Sequence, residues 1–187
     1  MPVVKPHIME EKDLVILCIK GNRSAQSELV VSFAPRLLSL IKRYQPKSLS
    51  PEDILQEVFI ELFRDLRTYD PEKGALYTWM KTIAIRLTLK KRRLDQSWLK
   101  DKTISLEYIE VAPELDQNLN KMNTDDLMKM IMSLPDGYRE VFNLVAIEGY
   151  SHDECASLLQ IAVGTSRSTL SRARQILKEQ YAQMKIY

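Results

Sequence analysis

The stretch that decides the fold covers residues 151–178 and reads SHDECASLLQIAVGTSRSTLSRARQILK. It opens with Ser151 and carries Glu154 three positions later. This is the spacing of a capping box, in which each of the two side chains accepts a hydrogen bond from a free backbone amide at the start of a helix. A turn is expected around residues 162–164, and a longer basic stretch begins at Thr165. A short capped helix, a tight turn and a longer second helix form the helix-turn-helix pattern.

The second helix of this pattern has an apolar side and a basic side. Leu170, Ala173 and Leu177 recur at three- and four-residue steps, which predicts that they face a core. The residues expected on the other side are Arg167, Ser168, Ser171, Arg172 and Arg174. The major groove of DNA admits one helix whose first turns approach the base edges, and arginine binds guanine through two acceptors. We therefore predict a DNA-reading helix. A solvated basic face is the alternative, and four bases without an acid over residues 165–178 count against it.

The remainder of the chain also has a helical pattern. Only five glycines occur in 187 residues, and apolar residues recur at helical rather than alternating spacing. Pro35 is expected to kink or split a helix, and Ser50 and Pro51 are expected to start one, as its capping residue and its first helical residue. The further helices are predicted over residues 11–20, 25–44, 51–66, 77–94, 123–133 and 135–148, with a loop over residues 68–75.

Charge divides the chain into three parts, although the net charge is only +2. Residues 81–93 contain six bases and no acid, residues 94–126 contain eight acids against three bases, and residues 165–178 are basic again. This order predicts two basic surfaces joined by an acidic tether, rather than a uniform coat for nucleic acid. We expect an all-α protein of two small helical domains, residues 1–94 and 122–187, joined by a flexible linker over residues 95–121.

Two blocks of sequence resemble the extracytoplasmic-function (ECF) sigma factors of bacterial RNA polymerase. The C-terminal block is GTSRSTLSRAR at residues 164–174, preceded by Leu134-Pro135 and Gly149-Tyr150-Ser151. The N-terminal block is DILQEVF at residues 53–59, followed by Tyr69-Asp70-Pro71, Trp79 and Ile83-Ala84. Both blocks occur in the order and spacing of the family, and the resemblance covers nearly the whole chain.

The resemblance implies two roles for the N-terminal domain. It binds the clamp helices of the largest subunit of core RNA polymerase, mainly through Asp53, Gln56 and Glu57, although an ordinary solvated acidic face is the alternative. It also opens and reads the minus-ten element: the loop captures an extruded base, Tyr69 and Tyr77 stack on bases, and the basic helix end holds phosphates. Trp79 is expected in the core rather than as a platform for a base, which is the alternative, because Ile83 lies one helical turn after it. The candidate minus-ten residues are Tyr69, Tyr77, Arg86, Lys90, Lys91, Arg92 and Arg93.

The resemblance implies that the C-terminal helix-turn-helix reads the minus-thirty-five element. The candidate residues there are Thr165, Arg167, Ser168, Ser171, Arg172 and Arg174. The chain departs from the family at Arg86 and Lys90, where many relatives carry Asn or Asp, so no minus-ten sequence preference is transferred. The linker is expected either to run through the RNA exit path of the polymerase or to act only as a soluble tether.

Other classes of protein fit the sequence less well. His152 and Cys155 have metal-like spacing, but there is no second ligand pair, no Gly-rich phosphate loop and no nucleophile motif. We therefore expect no enzyme, no metal and no cofactor. Cys18 and Cys155 are expected to be buried thiols in a reducing cytoplasm. No signal peptide is recognised and no apolar run approaches the ~20 residues that span a bilayer, so we expect a cytoplasmic protein without membrane insertion.

Two alternatives to a sigma factor stay open from the residues alone. A stand-alone helix-turn-helix regulator shares the C-terminal pattern, but it does not need the acidic helix or the base-capturing loop. A protein-interaction module with vestigial DNA surfaces is the second alternative. If the family resemblance holds, the expected partners are core RNA polymerase, promoter DNA and an anti-sigma factor, and the free chain is expected to be a monomer.

Overall fold

The structure, a computed structural model, describes residues 10–44, 48–94 and 124–184. Within these ranges every regular element is helical, which confirms the all-α prediction. The chain divides into two compact units between Arg92 and Arg93. The predicted linker, residues 95–121, lies outside the described residues, so the limits of the two domains stay a prediction.

In its described residues the N-terminal unit contains four α-helices, and its core lies between their apolar sides. α2 packs against α1 and α3, and α4 contributes its own buried stripe. Ser50 starts α3 as predicted, because its hydroxyl accepts from the amide of Asp53 and Pro51 is the first helical residue. The elements are α1 (Glu11–Ile19), α2 (Arg23–Tyr44), α3 (Pro51–Asp65), a 3-10 turn (Leu66–Thr68) and α4 (Leu76–Leu94).

Pro35 does not split α2, which is continuous from Arg23 to Tyr44. A proline inside a helix removes the hydrogen bond to the carbonyl four residues earlier, here that of Val31. Val31 is 71 % exposed and Pro35 is exposed as well, so water can satisfy this carbonyl. The expected split is therefore absent because the proline stands on the solvent side of α2.

The C-terminal unit contains the remaining described helices. α8 packs most extensively against α6 and α7, and it buries Leu170, Ala173 and Leu177 as the sequence predicted. Each fully buried leucine contributes about 2 kcal/mol. The elements are α5 (Thr124–Ser133), α6 (Asp136–Phe142), a π-helical turn (Asn143–Ile147), α7 (His152–Leu159) and α8 (Val163–Met184).

The turn between α7 and α8 differs from the prediction. Gly164 was expected to form it, but α8 begins at Val163 and Gly164 is helical. Gln160 adopts the left-handed conformation that ends α7, with φ of 56° and ψ of 46°, and its amide donates to the carbonyl of Ala156. The chain has to reverse directly after Leu159, four residues before the glycine, and a glutamine in this conformation leaves no turn signal in the sequence.

The capping box at α7 is formed as predicted, and it gives a test of local stability. The Ser151 hydroxyl accepts from the Glu154 amide at 3.2 Å, and the Ser151 amide donates to the Glu154 carboxylate at 2.8 Å. Ser151→Ala is expected to lower the free energy of unfolding of the C-terminal unit by about 1 kcal/mol. Amide hydrogen exchange in α7 and α8 of the full chain measures this. Ser157→Ala is the control, since Ser157 is exposed inside the same helix. Equal effects of both changes would contradict the capping role.

Candidate nucleic-acid interface

The first turns of α8 carry the predicted DNA-contacting residues of the C-terminal unit. Arg167 is exposed and, in the described part of the chain, forms no ion pair. Arg172 donates to the side-chain oxygen of Gln175 at 3.1 Å, so its guanidinium is already oriented along the helix. The half-buried members of the set are Thr165, Ser168, Ser171, Arg172 and Arg174. The six candidates therefore share one helix, and Arg167 is the most accessible of them.

A hydrogen-bond contact between His152 and Ser166, called here the His152–Ser166 tie, joins α7 to α8 beneath this surface. The Ser166 hydroxyl is buried and lies 2.9 Å from Nδ1 of His152, the first residue of α7. Cys155 is buried beside it, and its thiol also interacts with Ser166. From the sequence, His152 and Cys155 were considered only as an incomplete metal pair, and Ser166 was not selected. The available signal was its place on the apolar stripe of α8, four residues before Leu170.

Partial burial and nearby positive charges lower the pKa of His152. Partial burial lowers this pKa below the ordinary value of 6.5, and the positive charges of Arg167 and Arg174 lower it further, while Asp153 acts in the opposite direction. Burial also raises the pKa of the Cys155 thiol, which keeps it protonated and unreactive. His152 is therefore held neutral next to the basic surface of α8.

The last turns of α4 present a basic row in the N-terminal unit. Arg86 and Lys90 are exposed one turn apart, and Arg93 is half-buried on the same side. Lys91 lies on a neighbouring side of α4 and forms an ion pair with Glu57 of α3. The predicted DNA-binding helix and the predicted polymerase-binding helix thus meet at this pair.

Arg92 is the predicted phosphate contact that the structure places elsewhere. Its side chain is only 1 % exposed, so it does not reach DNA from this position. The reason is helical periodicity: Arg92 follows the buried residues Thr88 and Leu89 at four and three positions. Because residues 90–93 are four consecutive bases, the sequence alone does not indicate that Arg92 is the buried one. Arg92 is removed from the candidate surface.

The loop before α4 is held by its own hydrogen bonds. The Tyr69 hydroxyl donates to the carbonyl of Gly74 at 3.1 Å, and the Asp70 carboxylate accepts from the amide of Glu72 at 3.0 Å. The Tyr69 ring lies 5.7 Å from the ring of Trp79, tilted by 52°. Trp79 is half-buried, so it is not among the fully buried core residues, and one part of its side chain is accessible. The two aromatic rings form one cluster beside the loop.

The Tyr77 ring is already in contact with two side chains of α2. The Phe33 ring is nearly parallel to it at 6.4 Å and 11°, and the Arg36 guanidinium lies 3.7 Å from the Tyr77 ring centre. Arg36 was not among the residues that sequence reasoning selected. It lies on α2, outside both basic stretches identified from the sequence, and no pattern in the sequence joins it to Tyr77.

The exposed side of α3 carries the predicted polymerase-binding residues. Asp53, Gln56 and Glu57 are all exposed, and Gln56 and Glu57 follow Asp53 at three and four positions, so they share one side of the helix. Ile60 continues this side and is 67 % exposed. The arrangement presents carboxylates next to an accessible apolar side chain, a combination suited to a protein partner.

Two further predictions concern sites outside these surfaces. Cys18 and Cys155 are buried thiols, as expected. Among the described residues, no helix has both the length and the apolar character needed to cross a membrane. Nor do the described histidines, cysteines and carboxylates form a cluster of three or more that could hold a metal ion.

Comparison with sequence families gives matches for both units. Residues 29–98 match the family described as Sigma-70 region 2, and residues 124–177 match the family described as Sigma-70, region 4. The order and positions of the two matches agree with the two blocks quoted from the sequence.

Comparison with individual proteins gives relatives along most of the chain. The ECF RNA polymerase sigma-E factor of Escherichia coli K12 is 31 % identical over 170 residues, which cover 84 % of this chain and 87 % of that protein. The RNA polymerase sigma-H factor of Pseudomonas aeruginosa is 29 % identical over 181 residues, which cover 90 % of this chain and 92 % of that protein.

Two solved structures share the fold. CnrH, solved in complex with the cytosolic domain of CnrY, is 21 % identical with a TM-score of 0.50, and the match covers 92 % of this chain and 97 % of CnrH. The sigma factor RpoE from Bartonella quintana, solved with the anti-sigma factor NepR, is also 21 % identical with a TM-score of 0.50, and the match covers 82 % of this chain and 94 % of RpoE.

The lowered pKa of His152 predicts a pH dependence of stability. Because the folded pKa lies below the unfolded value of 6.5, the unfolded chain binds the proton first as the pH falls. The C-terminal unit is therefore expected to lose stability from pH 6.5 downward, until the folded pKa is passed. Hydrogen exchange of α8 amides between pH 7.5 and about 5.5 measures this dependence.

His152→Gln keeps a polar group near Ser166 without a titration, so it is expected to flatten this pH dependence. His7→Gln is the control, since His7 is the only other histidine in the chain. The lowered pKa of Glu154 acts in a separate window below about pH 4.5. An unchanged slope in His152→Gln would contradict the assignment.

Proposed function

This chain belongs to the ECF sigma factors of RNA polymerase, and on that premise we propose how its surfaces divide the work of promoter-specific initiation. It is an alternative sigma factor that directs transcription. We propose that α3 binds core RNA polymerase, that α4 and the loop before it engage the minus-ten element, and that α8 reads the minus-thirty-five element.

One observation carries the proposal most directly. An exposed acidic side of α3 and an exposed basic row of α4 belong to the same unit and adjoin at the Glu57–Lys91 pair. A stand-alone regulator needs the DNA surface of α8, but it has no use for this second pair of opposite surfaces. A sigma factor needs both, because it holds polymerase and promoter at the same time.

The proposed polymerase contact is the side of α3 formed by Asp53, Gln56 and Glu57. The partner surface is expected to be basic, and in this family it is the pair of clamp helices of the largest polymerase subunit. Complementary charge steers such an encounter and fixes its orientation more than it adds affinity. Ile60, on the same side, supplies apolar contact area that a purely electrostatic surface lacks.

The proposed minus-ten contact combines a base-capturing loop with a phosphate-binding helix end. Tyr69 and Trp79 form the aromatic cluster at the loop, where stacking of an extruded base is worth about 1–3 kcal/mol. Arg86, Lys90 and Arg93 line the exposed side of α4, where each neutralised phosphate increases the salt dependence of binding. Lys91 joins them only when its ion pair with Glu57 opens.

The proposed minus-thirty-five contact is the N-terminal part of α8. Arg167 is exposed and unpaired among the described residues, which suits a bidentate contact to guanine. Thr165, Ser168 and Ser171 are small enough for the helix to approach the groove closely, and Arg172 and Arg174 flank them. The tie between His152 and Ser166 keeps α8 at a constant angle to α7 and thus holds this surface in place.

Two further parts of the proposal concern the rest of the chain and its regulation. Residues 1–94 and 122–187 act as the two DNA-engaging domains, with residues 95–121 as the tether between them. CnrH was solved with CnrY and RpoE with the anti-sigma factor NepR. We propose that an anti-sigma factor binds this chain and holds it inactive, and that the chain itself catalyses no reaction and needs no cofactor.

Substitutions on α3 test the polymerase contact. Gln56→Ala and Glu57→Ala are each expected to weaken binding to core RNA polymerase about tenfold, since the loss of a contact to a charged group costs about 1.5–3 kcal/mol. Fluorescence anisotropy of the labelled chain titrated with core polymerase measures this. Asp13→Ala is the matched control, because Asp13 is an exposed carboxylate on α1.

Lys91→Ala separates the two roles of Glu57. It removes the ion pair but leaves the carboxylate free, so it is expected to keep full affinity for core polymerase. If Lys91→Ala weakens core binding as much as Glu57→Ala does, Glu57 acts by shaping the unit and does not contact polymerase.

Transcription with purified core polymerase and a genomic promoter library tests the whole proposal. The chain is expected to produce discrete RNA starts that share two spaced upstream motifs. The double variant Arg167→Glu and Arg172→Glu is expected to abolish these starts while it retains core binding, because it reverses two charges at the groove and so changes the net charge there by about four units.

The control for that variant reverses the same amount of charge elsewhere. Lys12 and Lys129 are exposed on α1 and α5, outside the proposed surfaces. The double variant Lys12→Glu and Lys129→Glu is expected to preserve the RNA starts. Normal starts from the Arg167 and Arg172 double variant would remove α8 from the DNA contact. Absence of both starts and core binding with the unaltered chain would contradict the proposed division of surfaces.

A further inference from the structure

Arg36 lies in the N-terminal unit in a position that the proposed function does not yet use. It is exposed on α2, one residue after Pro35, and its guanidinium lies 3.7 Å from the centre of the Tyr77 ring at the start of α4. The nearly parallel Phe33 ring supports the same tyrosine at 6.4 Å. A cation so close to an aromatic face is held by the ring quadrupole. Arg36 is therefore an oriented side chain rather than a freely moving surface arginine.

The contact with the Tyr77 ring leaves the hydrogen-bonding capacity of Arg36 unused. An attraction between cation and ring needs none of the five N–H donors of the guanidinium to be paired with an acceptor, so these donors stay available to a ligand. Among the residues that the structure describes, no carboxylate pairs with Arg36, whose guanidinium contacts the Tyr77 ring. Residues 30–44 of α2 contain Arg36, Lys42 and Arg43 and no acid. The surroundings on this helix therefore favour an anionic ligand.

The position of Tyr77 points to the kind of anion. Tyr77 is the second residue of α4 and follows directly after the loop that Tyr69 closes through Gly74. In the proposed function this loop receives an extruded base, so the phosphates of the opened strand pass nearby. Tyr77 was predicted to stack on a base, but Arg36 already occupies a face of its ring.

We propose that Arg36, held in place by Tyr77, binds a backbone phosphate of the opened single strand at the minus-ten element. Tyr77 then serves as the platform for the arginine, and not as the platform for a base. The planar fork of an arginine matches two phosphate oxygens, and the contact carries no base preference. The inference rests on the proposed minus-ten contact and adds to it a residue from α2.

The test uses complete holoenzyme, formed from core polymerase and the full chain, with promoter DNA that is already unpaired over the minus-ten element. Arg36→Ala is expected to weaken binding of this DNA about three- to tenfold and to lower the slope of log K against log salt by about 0.7, the share of one single-strand phosphate. Affinity for core polymerase is expected to stay unchanged. Arg36→Lys is expected to keep the slope but to recover only part of the affinity, because an ammonium makes no planar, bidentate contact.

Two controls separate this contact from general attraction and from misfolding. Lys42→Ala removes the same charge from an exposed position on another side of α2 and is expected to leave the slope unchanged. Tyr77→Phe keeps the ring and is expected to bind like the unaltered chain, whereas Tyr77→Leu removes the platform and is expected to weaken binding as Arg36→Ala does.

Three results would overturn the proposal. One is an unchanged affinity and slope in Arg36→Ala. Another is an equal loss in Lys42→Ala, which indicates only diffuse attraction. The third is a loss of core affinity in Arg36→Ala, which assigns Arg36 to the polymerase. Failure of the unaltered chain to bind core polymerase is a separate outcome: it would contradict the proposed function and this inference with it.

Discussion

Burial of one apolar side of each helix is the constraint on which both candidate interfaces depend. In units of this size every helix has to contribute to the core, because conformational entropy opposes folding and few apolar residues are available to offset it. On α8, burial of Leu170, Ala173 and Leu177 leaves only one orientation, in which Arg167 faces solvent. On α3, burial of Ile54, Val58 and Leu62 turns Asp53, Gln56 and Glu57 outward in the same way. The charged surfaces are therefore consequences of core packing.

The same constraint separates neighbouring bases that look equivalent in the sequence. Lys90 is exposed, Lys91 pairs with Glu57, and Arg92 is buried, although the three residues are consecutive. Each step along α4 rotates the side chain by about 100°, so adjacent residues face different surroundings. The Lys91–Glu57 pair is partly exposed and is worth at most about 1 kcal/mol. It is weak enough to open when either helix meets its partner.

Membership of the ECF sigma factors decides between the readings that the residues alone left open. A stand-alone regulator accounts for the helix-turn-helix, but it leaves the acidic side of α3, the closed loop at Tyr69 and the basic row of α4 without a purpose. A vestigial interaction module leaves the exposed Arg167 and the preoriented Arg36 unexplained. A protein that holds polymerase and promoter together uses all of these features.

The sequence by itself determined the helical class, the helix-turn-helix, the cap at Ser151 and the apolar stripes, because these depend on residues three or four positions apart. It also located the two basic stretches and the acidic helix. Only the tertiary structure decided that Gln160 forms the turn, that Arg92 is buried, that His152 is tied to Ser166 and that Arg36 covers Tyr77. The last three of these features join residues far apart in the chain or depend on which side of a helix meets the core, whereas Gln160 is a residue type that gives no turn signal. None of these features can be read from the local sequence.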